Sequence, residues 1–175
     1  MAGYRETPLG TDHVGHPQQG LGSARGIALP VSPLTGLDIF ELGPGDVATL
    51  QRFFDANPAY FDAVFGEPAG SQAARDEIAE MPPAGWSYTR RWMLGYADGD
   101  GELAAVADIV GDLLVPHAWH LGLFIVATAR HGNGDATRLY RGLESWAARH
   151  GATWLRLGVV QGNTGTGDGR RASAA

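Results

Sequence analysis

The eleven residues at 126–136, V-A-T-A-R-H-G-N-G-D-A, carry the most specific chemistry in the chain. An apolar run ends at Val126, and Gly132 and Gly134 open the amphipathic segment that follows. Glycine lets the backbone turn sharply and leaves no side chain over the first amides of a helix. Unpaired N–H groups can then face an anion with the positive end of the helix dipole behind them. This pattern predicts a phosphate site in the loop His131, Gly132, Asn133, Gly134, Asp135 and Ala136, which follows the strand residues Phe124, Ile125 and Val126. For proton transfer the first candidate is His120, an imidazole that titrates near neutrality and that strict strand alternation puts on the side of Phe124 and Val126. Asp108, Asp112 and His117 are weaker candidates. With His120 they also have a spacing that a metal-dependent hydrolase could use. His13 and His16 have no third ligand nearby and are expected to be solvated.

These residues need elements to hold them. Leu37, Ile39 and Leu42 bracket a short strand that breaks at Gly43-Pro44-Gly45. Val47, Leu50, Phe53 and Phe54 then draw an apolar stripe down a helix with Asp46 as its expected cap, and Asn57-Pro58 ends it. A second helix is predicted over 71–81, capped by Ser71 and stopped by Pro82-Pro83. The cluster of Tyr60, Phe61 and Phe65 lies between the two. Two strands, 86–95 and 102–110, flank a turn at 97–101 rich in Asp and Gly, which predicts a hairpin. The run 118–126 is nearly all apolar, as a central strand covered on both faces must be. Ala136, Leu139, Tyr140, Leu143, Trp146 and Ala147 repeat at helical spacing, Gly151 closes that helix, and 153–160 forms another strand. Strand, helix, strand in that order implies an α/β fold with a parallel or mixed sheet.

Composition narrows the chemistry further. At 175 residues the chain fits one domain, and it holds no cysteine, which removes disulfides, thiolate zinc sites and a cysteine nucleophile. All thirteen basic residues are arginines. A Schiff-base lysine and a Walker-type phosphate loop are therefore excluded. A net charge of -6 argues against a nucleic-acid surface. The chain has neither an apolar run of the roughly 18 residues that span a bilayer nor a basic start followed by an apolar stretch. The expectation is a cytoplasmic protein with no membrane partner.

The glycine loop also lacks the acidic residue that a dinucleotide-binding fold places on the following strand, which here ends in Val160-Gln161-Gly162. The segment instead resembles the GNAT superfamily of N-acetyltransferases, in which a strand ending L-x-V-x-P leads into (Q/R)-x-x-G-x-(G/A). Phe124 and Val126 stand at the strand positions, and 131–136 form the loop. His131 replaces the usual Gln or Arg, Thr128 replaces the proline, and Asp135 brings a carboxylate beside the anion. The resemblance extends over about 37–164, including Asn57-Pro58-Ala59-Tyr60-Phe61 and the strand 154–160 followed by Gly162-Asn163-Thr164. It implies a GNAT-like mixed central sheet flanked by helices. Acetyl-coenzyme A would lie between two splayed strands, with its pyrophosphate on the loop amides and Asn163 near the coenzyme. It further implies transfer of the acetyl group to an amine of a small molecule or peptide by direct attack in a ternary complex. A strand amide within 123–126 would polarise the carbonyl, and no metal would be needed. The acceptor pocket is expected from 53–65 and 86–92.

Three segments follow from this reading: a flexible leader over 1–36, rich in Gly, Pro, Gln and Ser; the acyltransferase-like domain over 37–164; and a disordered tail over 165–175. After Thr164 the chain reads G-T-G-D-G-R-R-A-S-A-A and has nothing with which to bury a face. The family's final strands, which often supply a tyrosine acid, are expected to be missing, leaving the strand 155–160 as an open edge. The alternative is accordingly a truncated, non-catalytic fragment that binds coenzyme A or a protein partner. The sequence leaves the oligomeric state and the acceptor open.

Overall fold

The computed structural model describes residues 3–8 and 26–159. One six-stranded sheet runs through it in the order β1-β6-β5-β4-β3-β2, with β1 at Gly3–Pro8, β2 at Asp38–Glu41, β3 at Arg90–Ala97, β4 at Leu103–Gly111, β5 at Ala118–Val126 and β6 at Trp154–Val159. All neighbouring strands are antiparallel except β5 and β6, which are parallel. Parallel neighbours need a crossover, and helix α4 (Asp135–Arg149) supplies it. Helices α1 (Val47–Ala56), α2 (Pro58–Phe65) and α3 (Ala73–Ala79) connect β2 to β3.

Each face of the sheet is covered by its own core. On one side Leu139, Leu143 and Trp146 of α4 bury against Trp92, Leu94, Ile109, Trp119 and Leu121. Trp146 meets both Trp92 and Trp119 edge-on, at centroid distances of 5.2 Å, and aromatic rings favour that arrangement. On the other side Leu50, Phe53 and Phe54 of α1 pack with Phe61, Met93, Val106, Leu123 and Ile125. The two covers explain why β5 reads as a nearly continuous apolar run.

Local details depart from the sequence expectations in informative ways. Asp46 does not cap α1. Its carboxylate reaches back to accept the Gly43 amide at 2.9 Å and closes the 3-10 turn Pro44–Asp46. Ser71 does not cap the next helix either. The amide of Ala74 donates to Oε1 of Gln51 on α1, so the cap comes from a neighbouring helix, which spacing along α3 cannot reveal. The aromatic cluster after Asn57-Pro58 is itself a helix, α2, begun by a proline at its first turn, where a missing N–H costs nothing.

The leader expected over 1–36 differs most. Residues 3–8 form β1, antiparallel to β6 from Gly3 opposite Val159 to Pro8 opposite Trp154. Leu34 is buried, and the Trp146 indole donates to the Ala28 carbonyl at 2.8 Å, so residues 26–36 lie on the α4 core. The edge expected to be open at β6 is thus paired. His13 and His16, Asn163 and the tail over 165–175 lie outside the described residues.

Candidate functional site

Strand β5 carries the site, and one extra residue decides its geometry. Asp108 pairs with Leu123 while Ile109 pairs with Leu121, so Gly122 is a bulge with no opposite number on β4. A bulge flips the side-chain alternation beyond it. Trp119 and Leu121 before the bulge share the α4 face with Val126 after it, whereas Leu123 and Ile125 face α1. His120 therefore lies on the side of Asp108 and Leu123, where all three line one cavity. The alternation assumed from sequence, which joined His120 to Phe124 and Val126, fails at Gly122. Only glycine fits there easily, because a Cβ would stand 3.0 Å from Oδ2 of Asp108.

The bulge lies where β5 parts from β6. The parallel ladder runs from Ala118 opposite Trp154 to Leu121 opposite Leu157 and stops, although β5 continues to Val126 and β6 to Val159. Among the described residues, the β6-facing edge of 122–126 has no strand partner. Backbone groups on such an edge are ready to bind an extended chain. A groove of about 240 Å³ lies against this segment, lined by Tyr60, Phe124, Ile125, Val126, Thr128, His131 and Ala136, among others.

At the end of that groove the chain turns into α4. Gly132 and Gly134 have φ of +83 and +77, a left-handed conformation that glycine adopts without strain. A Cβ at either would meet nothing within 4 Å, so the space above the loop is open. Gly134 is the N-cap of α4, and no side-chain hydrogen bond caps the start of that helix. His131 folds its ring back so that Nε2 lies 2.9 Å from the Val126 carbonyl, tying the loop to the end of β5. Asp135 does not point into the loop alone, since its Oδ2 is 3.3 Å from the Arg130 guanidinium. Asn57 fixes the whole turn from below. Buried at the end of α1, it donates to the Phe53 carbonyl and accepts the Thr128 amide, both at 2.7 Å.

Beyond Leu123, on the α1–α3 face, two adjoining cavities of about 550 and 380 Å³ share Tyr60, Phe65, Glu77, Glu80 and Leu123. Tyr60 also lines the groove beside β5, so it stands where the cavities and the groove meet. Of the segments expected to form an acceptor pocket, Tyr60, Phe61, Phe65 and Trp86 line these cavities, whereas Trp92 faces the opposite core. The cavity's charged groups are coupled. Burial raises the Glu77 carboxyl to about 7, helped by the nearby Asp108 charge and opposed by Arg91. Burial raises Asp108 to about 6 against the pull of Arg91. Burial and the charge of Arg156 push His120 below its usual value, which keeps the ring neutral. Tyr60 is raised to about 12 by burial and by Glu77.

Sequence reasoning missed Glu77. The available signal was its position at i+4 from Ala73 and i+3 from Ala74, on the face α3 buries, where a carboxylate is unusual. Two other candidates are structural in place. Asp112 accepts the His117 amide at 2.7 Å, and the His117 ring lies 2.9 Å from the Gly151 carbonyl. Among the described residues no group of three or more His, Asp and Glu could hold a metal ion. None of their helices is long and apolar enough to cross a membrane.

A family model described as the Acetyltransferase (GNAT) family matches residues 52–166. No curated protein matches the sequence. Among solved structures, the ribosomal-protein-S18-alanine N-acetyltransferase from Escherichia coli is similar with a TM-score of 0.52 and 16% identity, over 73% of this chain and 70% of that one. The PaiA N-acetyltransferase from Thermoplasma acidophilum, in complex with coenzyme A, is similar with a TM-score of 0.53 and 14% identity, over 73% and 82%. An acetyltransferase from Thermus thermophilus has a TM-score of 0.51 and 23% identity, over 64% and 68%. At these identities the structures speak for the fold alone.

Proposed function

From the premise that the chain belongs to the GNAT acetyltransferase family, we propose that it transfers an acetyl group from acetyl-coenzyme A to an amine of a small molecule or peptide, by direct attack within a ternary complex. The observation that carries this reading is the parting of β5 from β6 over a groove that ends at the uncapped amides of α4. The residues present suit the coenzyme. Edge groups of 122–126 would pair with the amide-bearing pantetheine arm, and amides from Gly132 to Ala136 would hold the pyrophosphate through hydrogen bonds and the helix dipole. Thr128 and His131 border the same space. Asn163 is proposed at the coenzyme too, on the resemblance alone.

Amide formation requires a neutral amine, a polarised carbonyl and a leaving thiolate. A backbone N–H within 123–126 is proposed as the donor to the carbonyl oxygen. The acceptor would enter through the aromatic cavity and meet the thioester near Leu123, beside Tyr60. Among the groups of the cavity that could take the proton are His120, the candidate from the sequence, and the Glu77 carboxyl, which burial raises to about 7. A cytoplasmic setting fits the acetyl-coenzyme A requirement.

Calorimetric titration with coenzyme A, paired with mass spectrometry of acetyl-coenzyme A incubated with a panel of primary amines and short peptides, tests the reading. Binding with formation of an acetylated amine is the expected result. Absence of coenzyme A binding would end it, and binding without product would favour the non-catalytic alternative.

A further inference from the structure

Arg91 is the most heavily engaged side chain in the acceptor cavity, and what it holds separates two neighbouring carboxylates. Only 7% of its side chain is exposed. Its Nε donates to Oδ1 of Asp108 on β4 at 2.6 Å. The two terminal nitrogens donate to backbone carbonyls at the end of α3, to Glu80 at 2.7 Å, Ile78 at 3.3 Å and Glu77 at 2.7 Å. One planar fork thus ties β3, β4 and α3 together, a geometry that a lysine ammonium cannot reproduce. The Glu77 carboxylate receives only a long 3.4 Å contact from the same guanidinium. Asp108 therefore has the tight charge-assisted bond, and Glu77 keeps spare basicity while lining both lobes of the cavity.

We propose that Glu77 takes the proton from the acceptor's ammonium group and that Arg91 is the positioning residue that fixes it there. The inference rests on the acyltransferase reading above. In the step, the N–H electron pair stays on nitrogen as the proton moves to Glu77. The free amine then forms the C–N bond, the C–S bond breaks with its electron pair leaving on sulfur, and the second ammonium proton ends on the thiolate to give the thiol. Glu77 returns its proton to water. His120 lines only the second lobe, whereas Glu77 lines both, together with the Tyr60 that borders the coenzyme groove. The groups facing Glu77 are Asp108 from β4, Arg91 from β3, Glu80 just past α3 and Tyr60 from α2, with His120 across the cavity on β5. Burial and the acidic neighbours outweigh Arg91, which places the carboxyl's ionisation near pH 7, where it can both take and release a proton.

The test is the pH profile of kcat from pH 5.5 to 9 for acetylation of n-butylamine, benzylamine or a tripeptide with a free N-terminus, whichever the wild type acetylates. The wild-type rate should rise with unit slope and level off through a midpoint near 7. Glu77→Gln, which preserves shape, should lose that limb and fall at least 30-fold at pH 7.5, with coenzyme A affinity unchanged by calorimetry. Arg91→Lys keeps the charge and loses the fork. It should move the midpoint and lower kcat several-fold while leaving KM for acetyl-coenzyme A alone. A Glu77→Gln enzyme within threefold of wild type that keeps the limb overturns the proposal, as does loss of the limb in His120→Ala instead. No product from any of the three amines, in a protein that also fails to bind coenzyme A, would instead overturn the acyltransferase reading.

Discussion

Gly134 and Asp135 sit one residue apart and make opposite demands on an anion. Gly134 holds φ at +77 with open space above it. An alanine there would carry left-handed strain of ~1–2 kcal/mol and place a methyl group over the amides that would hold the pyrophosphate. Gly134→Ala should therefore weaken coenzyme A binding tenfold or more by calorimetry, while Gly66→Ala, also left-handed at +78 but at the far end of α2, should not. Asp135 brings a negative charge to the same place, and Arg130 offsets it at 3.3 Å. Asp135→Leu removes that charge and releases Arg130 toward the loop, so coenzyme A should bind about two- to fivefold tighter. Helix α4 would lose ~0.5 kcal/mol of dipole stabilisation from an acidic first turn. Unchanged affinity would mean that Arg130 already neutralises the carboxylate. At this scale the loop was legible in sequence, because glycine spacing before an amphipathic run is a local signal. The side of His120 was not, since a bulge is set by pairing with β4 and leaves no mark in β5 beyond a single glycine.

Element boundaries were readable for the same reason that element contacts were not. Helix α4 follows from periodicity and strand β5 from its nearly unbroken apolar run, and the structure places them within a residue or so of expectation at Asp135–Arg149 and Ala118–Val126. What α3 does depends on which helix and strands it meets. Its cap comes from Gln51 and its end is held by Arg91, two partners distant in sequence. That placement puts Glu77 in a partly buried site and gives stability a definite pH dependence. A carboxyl whose pKa rises on folding, here from 4.5 to about 7, binds its proton more tightly in the native state. Its favourable contribution is complete below the unfolded value and is lost as pH climbs through the folded one. Glu77→Gln should thus raise Tm at pH 8 by a few degrees relative to wild type, corresponding to about 1 kcal/mol after allowance for partial exposure, and change little at pH 4.5. A thermal melt at both values checks the sign. Asn57 makes a second case, linking α1 to the turn after β5. Asn57→Ala leaves the Thr128 amide without its buried acceptor and should cost ~1–3 kcal/mol in urea unfolding, with coenzyme A affinity falling as the turn loosens.

Across the whole molecule, the sheet's far edge depends on the segment least readable from sequence. The stretch 3–8 has no strand periodicity, yet it pairs along β6, and the neighbouring residues 26–36 lie against α4 through the Trp146–Ala28 hydrogen bond. Backbone pairing needs no hydrophobic pattern, and so an edge strand can be added without a signature that composition reveals. Strand β6 itself is anchored on its other side for only four residue pairs, Ala118–Trp154 to Leu121–Leu157, because β5 parts from it beyond Leu121. The two edges of β6 therefore work together: the parting that would make room for the coenzyme weakens one, and β1 supports the other. Removing residues 1–8 should strip the second support, expose the N–H and C=O row of β6, and let the strand pair with another copy. The expected outcome is a shift toward dimers or larger species by size-exclusion chromatography with light scattering. A lower Tm should accompany it, with a weaker coenzyme A response as the loosened β6 shifts the point where β5 parts from it. A shortened chain with the same mass, melt and coenzyme A affinity as the full one would show that β6 holds its place through β5 and the α4 crossover alone.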